Sequence, residues 1–304
     1  MAQRCRILPL VLLLVAVAVA GCTPPVHIAL DPKVVPVLTK VDCKNVVIED
    51  EVTVAVDIST GGSVWVGGCL GAAIDASVNK TRSRKAEELV QPLLDQTSDV
   101  DLRGQLGEAL EFTMQDIEWL NIDTVRSTAA IPHPDELKGI TSPLLHFSTA
   151  YFLVPKCYSL DMTTSARLWL PAEKKAVFLG YFTYFSEPVV DAVEEDAVEA
   201  WAANGGAAYR AAVTEGVAEI AKMVRLDLPP DGNLPSIKQG AWVRLKYLNP
   251  RTNADVKWRV QVLSESTDRL ILREEGGNLW SIPRSLLDMD SIKDSPKADQ
   301  DGLR

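Results

Sequence analysis

Three apolar runs follow one another in the stretch LLHFSTAYFLVPKCYSLDMTTSARLWLPAEKKAVFLGYFTYFS, residues 144–186. In the central run, apolar or small side chains recur at every second residue from Leu160 to Leu170. This is the period of a strand that buries one face. Residues 155–156 and 171–174 carry proline and polar residues that favour turns between the runs. The stretch therefore predicts a meander of three antiparallel strands.

A helical pattern follows the meander, from about Val193 to Leu226. Apolar side chains lie at helical spacing along this segment, which is typical of a helix that buries one face. The tripeptide Asn204-Gly205-Gly206 is expected to break it into two helices.

Upstream of the meander, residues 45–60 and 110–125 alternate apolar and polar side chains and predict further strands. Residues 74–94 change to a helical pattern. Together with the meander and the long helical segment, they predict an α+β domain over residues 46–228. In this domain we expect helices to cover an antiparallel β-sheet.

A second, smaller unit is predicted over residues 236–293, after the linker-like segment 228–235, LPPDGNLP. It shows five short strand patterns, with one helical turn at RSLL, residues 284–287, before the last strand. This succession resembles an SH3-type small β-barrel. Residues 294–304 are expected to form a disordered tail.

The small unit holds three tryptophans and several arginines. Two interpretations of these residues are open. The side chains could form an aromatic binding face, or the tryptophans could be the core of a unit this small. The residues of the candidate face are Trp242, Trp258, Trp280, Arg259 and Arg273.

The chain begins with a basic and apolar leader that ends in Val19-Ala20-Gly21-Cys22. The apolar run is about fourteen residues, shorter than the roughly 20 residues needed to span a bilayer. A basic start and small closing residues are typical of a secretory signal peptide. The ending resembles a bacterial lipobox, which implies cleavage between Gly21 and Cys22 and lipid attachment at Cys22. An ordinary signal peptide with a chance cysteine is the alternative. We therefore predict a signal peptide over 1–21 and an extended, lipidated tether over 22–45.

A wider resemblance rests on three further motifs. They are GGCLGAAIDASVNKTRSRKAEE at 67–88, AYFLVPKCYSLDMTTSARLWLP at 150–171 and FTYFSEP at 182–188. With the lipobox, they resemble a group of functionally uncharacterised lipoproteins of Gram-negative bacteria. The resemblance implies an envelope location and no activity. Thr23, where inner-membrane lipoproteins often carry Asp, resembles an outer-membrane address. The predicted location is the outer membrane, facing the periplasm, rather than the inner membrane.

Charge is unevenly distributed along the chain. Residues 22–235 carry 17 basic and 31 acidic side chains, whereas residues 236–293 carry 10 basic and 7 acidic ones. An acidic body argues against nucleic acid as a partner. Three cysteines follow Cys22, namely Cys43, Cys69 and Cys157. An oxidising periplasm would permit one disulfide among them, but burial as small apolar side chains is favoured.

No motif for catalysis, metal or cofactor binding is found in the sequence, so an enzyme is not predicted. The chain is expected to have a structural, assembly or protein-interaction role in the periplasm, anchored to the membrane by its lipid. Envelope proteins or a second copy of the chain are the expected partners. The alternative is a peptidoglycan-binding lipoprotein that uses residues 236–293.

Overall fold

A computed structural model describes residues 27–55, 88–130, 141–189, 194–229 and 241–294. Its described strands belong to one eleven-stranded sheet. The strands are β1 Asp42–Val47, β2 Thr53–Val54, β3 Val125–Thr128, β4 Leu144–Leu153, β5 Leu160–Leu170, β6 Lys175–Phe185, β7 Val243–Asn249, β8 Ala254–Glu265, β9 Arg269–Glu274, β10 Leu279–Pro283 and β11 Leu287–Asp294.

The helices of the described ranges pack on one face of this sheet, which we call the helix face; the other is the open face. Helix α1 covers 88–97 and α2 covers Leu102–Gln115. The segment Glu194–Asp227 is interrupted at 203–206, which divides it into α3 before the break and α4 after it. Short 3-10 helices cover Val35–Val37 and Arg284–Leu286. The fold is of the α+β class.

The strand order is β11-β7-β8-β9-β10-β6-β5-β4-β1-β3, with β2 beside β4. Strands β4, β5 and β6 form the predicted antiparallel meander. However, β1 runs parallel to β3 and β4, and β10 runs parallel to β6. The prediction of an antiparallel sheet is therefore wrong as a description of the whole sheet, which is mixed. Parallel neighbours come from distant parts of the chain, and the two-residue period carries no information about them.

The sequence pattern misassigned residues 110–115, which belong to α2 and not to a strand. Asp101 caps this helix, its carboxylate accepting a hydrogen bond from the backbone N–H of Gly104 at 2.8 Å. Leu106 and Leu110 lie one turn apart and are fully buried. Phe112 is 70% exposed, so the apparent alternation of Phe112 with Met114 did not mark a strand face.

The predicted break in the long helical segment is confirmed. Asn204, Gly205 and Gly206 have φ angles of 54°, 69° and 75°, in the left-handed region that glycine adopts without strain. A Cβ on Gly206 would also lie 2.3 Å from the Thr97 side chain of α1. The apolar positions on both sides of the break are buried, including Trp201 in α3 and Ile220 in α4.

Most of the predicted tether is packed against the body. Ile28 forms an antiparallel bridge with Leu179 of β6, with both N–O distances at 2.9 Å. Leu30 and Val41 are buried, and residues from Asp42 onward enter β1, between β3 and β4. Residues 27–45 are therefore not an extended lead, because Leu30, Leu38 and Val41 are buried in the core.

The five C-terminal strands follow the predicted succession, with the short helical turn between β10 and β11. Their sheet does not close on itself. Instead, β10 pairs with β6 from Leu279 to Ser281, so these strands continue the sheet of the body. The SH3-like barrel is thus not seen as a closed structure.

Several predictions fall on residues that the structure does not describe. They concern the leader and lipobox, the glycine-rich stretch from 67 to 87 with Cys69, the linker from 230 to 235, and the tail from 295 onward. Among the helices of the described ranges, none is both long and apolar enough to cross a bilayer.

Candidate functional site

A groove of about 640 Å³ lies on the C-terminal strands. Strands β7, β8 and β11 form it, and most of its lining side chains are charged. They are Arg244, Leu245, Lys246, Lys257, Trp258, Arg259, Asp288, Asp290, Ser291 and Lys293. Five of these residues are basic and two are acidic. We call this feature the basic groove.

Strand pairing brings the basic side chains of the groove into direct opposition. Arg244 faces Arg259, and Lys246 faces Lys257, across the β7–β8 pair. On its other side, Arg244 is paired with Lys293 of β11. Like charges placed directly opposite one another destabilise a sheet. The positive charge concentrated here therefore does not stabilise the pairing of these strands.

One edge of the basic groove carries a stacked pair of side chains. The Arg259 guanidinium lies over the Trp242 ring, 4.9 Å from its centroid. Arg259 also donates to the Glu275 carboxylate at 2.5 Å. Glu275 lies in the turn between β9 and β10. The stack therefore connects the groove to that turn.

The side chains of the two other predicted tryptophans point to the opposite face of the sheet, although Trp258 is among the residues that line the groove. Trp258 and Trp280 contact each other edge to face at 5.2 Å, and Tyr247 lies 5.0 Å from Trp258. Trp280 also contacts Phe185 of β6. These rings pack at the boundary between the C-terminal strands and the body. The structure does not join the three tryptophans into one binding face.

Arg273 lies on the helix face, but inside the protein. It donates to the Gln261 side-chain oxygen through Nε at 2.8 Å and through Nη2 at 2.5 Å. Burial lowers the pKa of its guanidinium, and nearby Asp227 acts in the opposite direction. Of the five predicted residues, Trp258 and Arg259 line the groove. Trp242 stacks on Arg259 at its edge, whereas Trp280 and Arg273 are not among its lining residues.

Sequence reasoning missed Arg244, Lys246, Lys257 and Lys293. A signal was present, because basic residues recur at every second position in both β7 and β8. Such a period puts them on one face of each strand. Recognising the groove also required knowing that these two faces meet.

The first residues that the structure describes, from His27 onward, pack beside the turn that carries Glu275. The His27 Nε2 lies 2.9 Å from the Asp227 carboxylate near the end of α4, and both side chains are almost fully buried. His27 also packs against Gly277, in the same turn as Glu275. A Cβ on Gly277 would lie 2.6 Å from the His27 Cβ, and its φ is 92°. Glycine thus permits the close approach.

The described ranges offer little that would support chemistry. Within them, no three His, Cys, Asp or Glu side chains gather as a metal ion would require. Cys43 is buried in β1, and burial raises the pKa of its thiol to about 12, with Glu111 contributing. Such a thiol is protonated and inert at neutral pH. Cys157 is also buried, in the turn between β4 and β5.

The predicted lipid attachment site, Cys22, and the cleavage residue Gly21 lie outside the described residues. No protein-family model matches the chain, and no curated protein is similar to it at a significant level. Inferences about function therefore rest on the residues themselves.

Proposed function

We propose that the protein is a lipid-anchored component of the bacterial envelope that acts by binding rather than by catalysis. Its signal peptide is removed before Cys22, and lipid on that residue holds the body at the periplasmic side of the outer membrane. The lipobox resemblance and the motifs of the uncharacterised lipoprotein family support the anchor. The basic groove is the observation that carries the binding role.

The groove is suited to binding an anionic partner. Its lysines and arginines stand on rigid paired strands, and Arg244, Lys246, Lys257 and Lys293 are all exposed. Positive potential on a largely acidic protein steers and orients an anionic surface. The acidic remainder of the body is then left for contacts with envelope proteins or with another copy of the chain.

The anchor is tested by the Cys22→Ser variant in cells. We expect the variant to lose label from radioactive fatty acid and to leave the outer-membrane fraction, as unprocessed precursor or as soluble protein. Ala20→Ser, beside the cleavage site, serves as a matched control, because it keeps the thiol and a small side chain. Unchanged processing and fractionation of Cys22→Ser would refute the lipid anchor.

A second candidate function is peptidoglycan binding through the same groove. The stack of Trp242 and Arg259 favours it, because an aromatic ring can pack against sugars and basic groups attract the carboxylates of peptide stems. The mature chain carrying Cys22→Ser is incubated with purified sacculi, and the pellet is assayed. Retention that disappears with Arg244→Glu supports this candidate, whereas a fully soluble chain excludes it.

We also propose an SH3-like relationship for the C-terminal unit, residues 236–293. The order β11-β7-β8-β9-β10 and the 3-10 turn Arg284–Leu286 support it. Whether the unit is a separate domain is tested with the isolated fragment. A cooperative thermal melt with little helical signal by circular dichroism would support independence. A disordered fragment would show that β6 and its neighbours are needed.

A further inference from the structure

We propose that the basic groove binds anionic phosphate headgroups of the membrane that holds the lipid anchor. The proposal deepens the function given above and rests on it for the anchor at Cys22. It follows from three observations, which are the charge pattern of the groove, the docking of the N-terminal segment and the short chain between that segment and Cys22.

The charge pattern indicates selection for a ligand. Across β7 and β8, two cross-strand pairs, which we call rungs, set basic against basic: Arg244 with Arg259 and Lys246 with Lys257. A third pair of this kind joins Arg244 to Lys293 of β11. A sheet gains nothing from these pairs, since opposite charges in the same positions would stabilise it. An anionic surface across the rungs would neutralise all three pairs at once.

The N-terminal segment is docked against the turn between β9 and β10, which is bonded to the groove through Glu275. His27 is held between Asp227 and the turn that contains Gly277, and Ile28 continues along the edge of β6. The same turn carries Glu275, which is bonded to Arg259 of the groove. His27 and Arg259 therefore contact two residues of one short turn, Gly277 and Glu275.

Chain length then limits how far the groove can lie from the bilayer. His27 is the fifth residue after Cys22, and a fully extended chain spans at most about 3.6 Å per residue. The lipidated cysteine is therefore within about 18 Å of the His27 backbone. Because the docked segment is bound at several points, the body cannot turn freely about a long tether. The groove is kept close to the headgroups.

The side chains of the groove match this environment. Lys and Arg side chains next to a membrane attract anionic headgroups, and each adds to the affinity. Tryptophan favours the interface between headgroups and acyl chains, and Trp242 stands half-buried at the groove's edge. The groove and the lipid anchor would thus act as two membrane contacts on one body.

The test uses the full mature chain with Cys22→Ser, so that no lipid contributes. It is sedimented with vesicles of phosphatidylcholine alone or of phosphatidylcholine and phosphatidylglycerol in equal parts. We expect binding to the anionic vesicles only, and we expect added salt to weaken it. Binding to both kinds of vesicle alike would overturn the proposal.

The decisive variant combines Arg244→Glu and Lys257→Glu. In it, each rung pairs a carboxylate with a basic group, so the fold is expected to remain stable or gain stability. Vesicle affinity should fall about 30-fold or more, because two basic contacts are lost. The matched control combines Lys40→Glu and Lys175→Glu, two exposed lysines away from the groove. This control has the same net charge as the groove variant, and it should bind anionic vesicles as tightly as the parent chain does.

Equal loss in both double variants would overturn the proposal, since net charge alone would then explain the binding. Retention on sacculi but not on vesicles, abolished by the groove variant, would assign the groove to peptidoglycan instead. The anchor is measured separately, by fatty-acid labelling of the chain with Cys22 intact. If the chain with Cys22 is labelled but the Cys22→Ser chain does not bind vesicles, this inference is refuted and the proposed anchor is supported. Absent labelling would refute the anchor whatever the vesicles show.

Discussion

Two regions of the C-terminal strands are rich in charge, and they use it in opposite ways. At the boundary with the body, which we call the seam, basic side chains are buried and bonded to acceptors of other segments. In the basic groove, four of the five basic side chains are exposed, and like charges face one another across the strands. The comparison teaches that charges which hold a fold together are matched locally, whereas charges kept for a partner outside the molecule are matched only in part. In the groove, Arg259 is bonded to Glu275 and Lys246 lies opposite Asp288 of β11, but like charges also face one another.

The seam has one polar cluster on each face of the sheet. On the open face, Arg251 donates to the fully buried Asp161 carboxylate through Nε at 2.5 Å and Nη2 at 3.1 Å. It also lies over the rings of Phe185 and Trp280. Burial raises the pKa of Asp161, and Arg251 opposes that shift by favouring the carboxylate. This bond joins residues 90 positions apart.

On the helix face, Arg269 links β9 to α4 and to the body. It donates to the Glu215 carboxylate at 2.7 Å and to the Phe185 carbonyl at 2.7 Å. Tyr184 donates to the same carboxylate, also at 2.7 Å, and the guanidinium lies over its ring. Ser281 of β10 donates to Glu219 at 2.6 Å. The clusters bind the C-terminal strands to the body from both sides.

The largest effect is expected from Asp161→Ala. The substitution leaves Arg251 in a largely buried place without the carboxylate, and breaking such a pair costs about 3–5 kcal/mol of unfolding free energy. Urea unfolding followed by tryptophan fluorescence measures it. Asp161→Asn is the matched control, because it keeps the shape and one acceptor oxygen, and it should lose less. Equal stability of Asp161→Ala and the parent would show that the seam is not held by this pair.

Arg269→Met should have the next largest effect. The methionine keeps much of the apolar stem but leaves the Phe185 carbonyl without this donor, so we expect a loss of about 2–3 kcal/mol. Glu215 is partly exposed and can be solvated, which keeps the cost below that of Asp161→Ala. Arg269→Lys, as control, retains the charge and part of the bonding. The same urea titration applies, and a loss equal to or larger than that of Asp161→Ala would contradict this ranking.

His146 of β4 is a third case, which resembles the seam in its burial and the groove in its basic neighbours. It lies in a row of basic residues, opposite Lys44 in β1 and Arg167 in β5. Burial, with Arg167 and Lys44, lowers the pKa of His146 to about 4. Its Nε2 is buried and has no hydrogen-bond partner among the described residues. The folded chain therefore keeps this imidazole neutral at pH 7, which removes the middle charge of the row.

A pH titration of stability tests this. The folded-state pKa of His146 lies below the ordinary value of about 6.5, so the unfolded chain binds the proton more readily. The neutral imidazole of His146 makes its full contribution to the free energy of unfolding above pH 6.5. That contribution is lost as the pH falls toward 4. Between pH 7 and 5 the parent should lose on the order of 1–2 kcal/mol more than His146→Gln does. Parallel curves for the two chains would contradict the assignment.

The smallest effect, and one of opposite sign, is expected from Lys257→Glu. The substitution turns the Lys246–Lys257 rung into an attractive pair, which should raise the free energy of unfolding by about 0.2–1 kcal/mol. Lys257→Gln, as control, removes the repulsion without adding attraction and should gain less. Both are measured at low salt, where exposed charges are least screened. A loss of stability in Lys257→Glu would mean that the groove's charges are not in conflict.

The sequence was informative wherever a pattern is local. The meander of β4, β5 and β6, the break at 204–206 and the succession of the C-terminal strands along the chain all follow from side-chain period and turn residues, which are local features of the sequence. The lateral order of the C-terminal strands, with β11 beside β7, does not follow from them. Helix α2 was missed because its end happens to place Phe112 and Met114 two residues apart. The four-residue spacing of Leu102, Leu106 and Leu110 would have identified it.

The candidate site was predicted only in part. Trp258 and Arg259 line the groove and Trp242 stacks on Arg259 at its edge, but Trp280 and Arg273 lie elsewhere. Alternation within a strand tells which side chains share a face. Which charges lie opposite one another depends on the neighbouring strand in the sheet. That neighbour therefore determines whether the paired charges attract or repel.

By itself, the sequence determined the local elements, the uneven distribution of charge and the lipobox-like leader, because each depends on residues close together in the chain. Only the tertiary structure decided that β1 lies between β3 and β4, that β10 joins β6, and that residues 27–45 are docked and not extended. It also decided that Arg251 meets Asp161 and that four basic side chains meet across two rungs. The physical reason is that these contacts join distant segments, whose pairing depends on the packing of the whole sheet rather than on any local period.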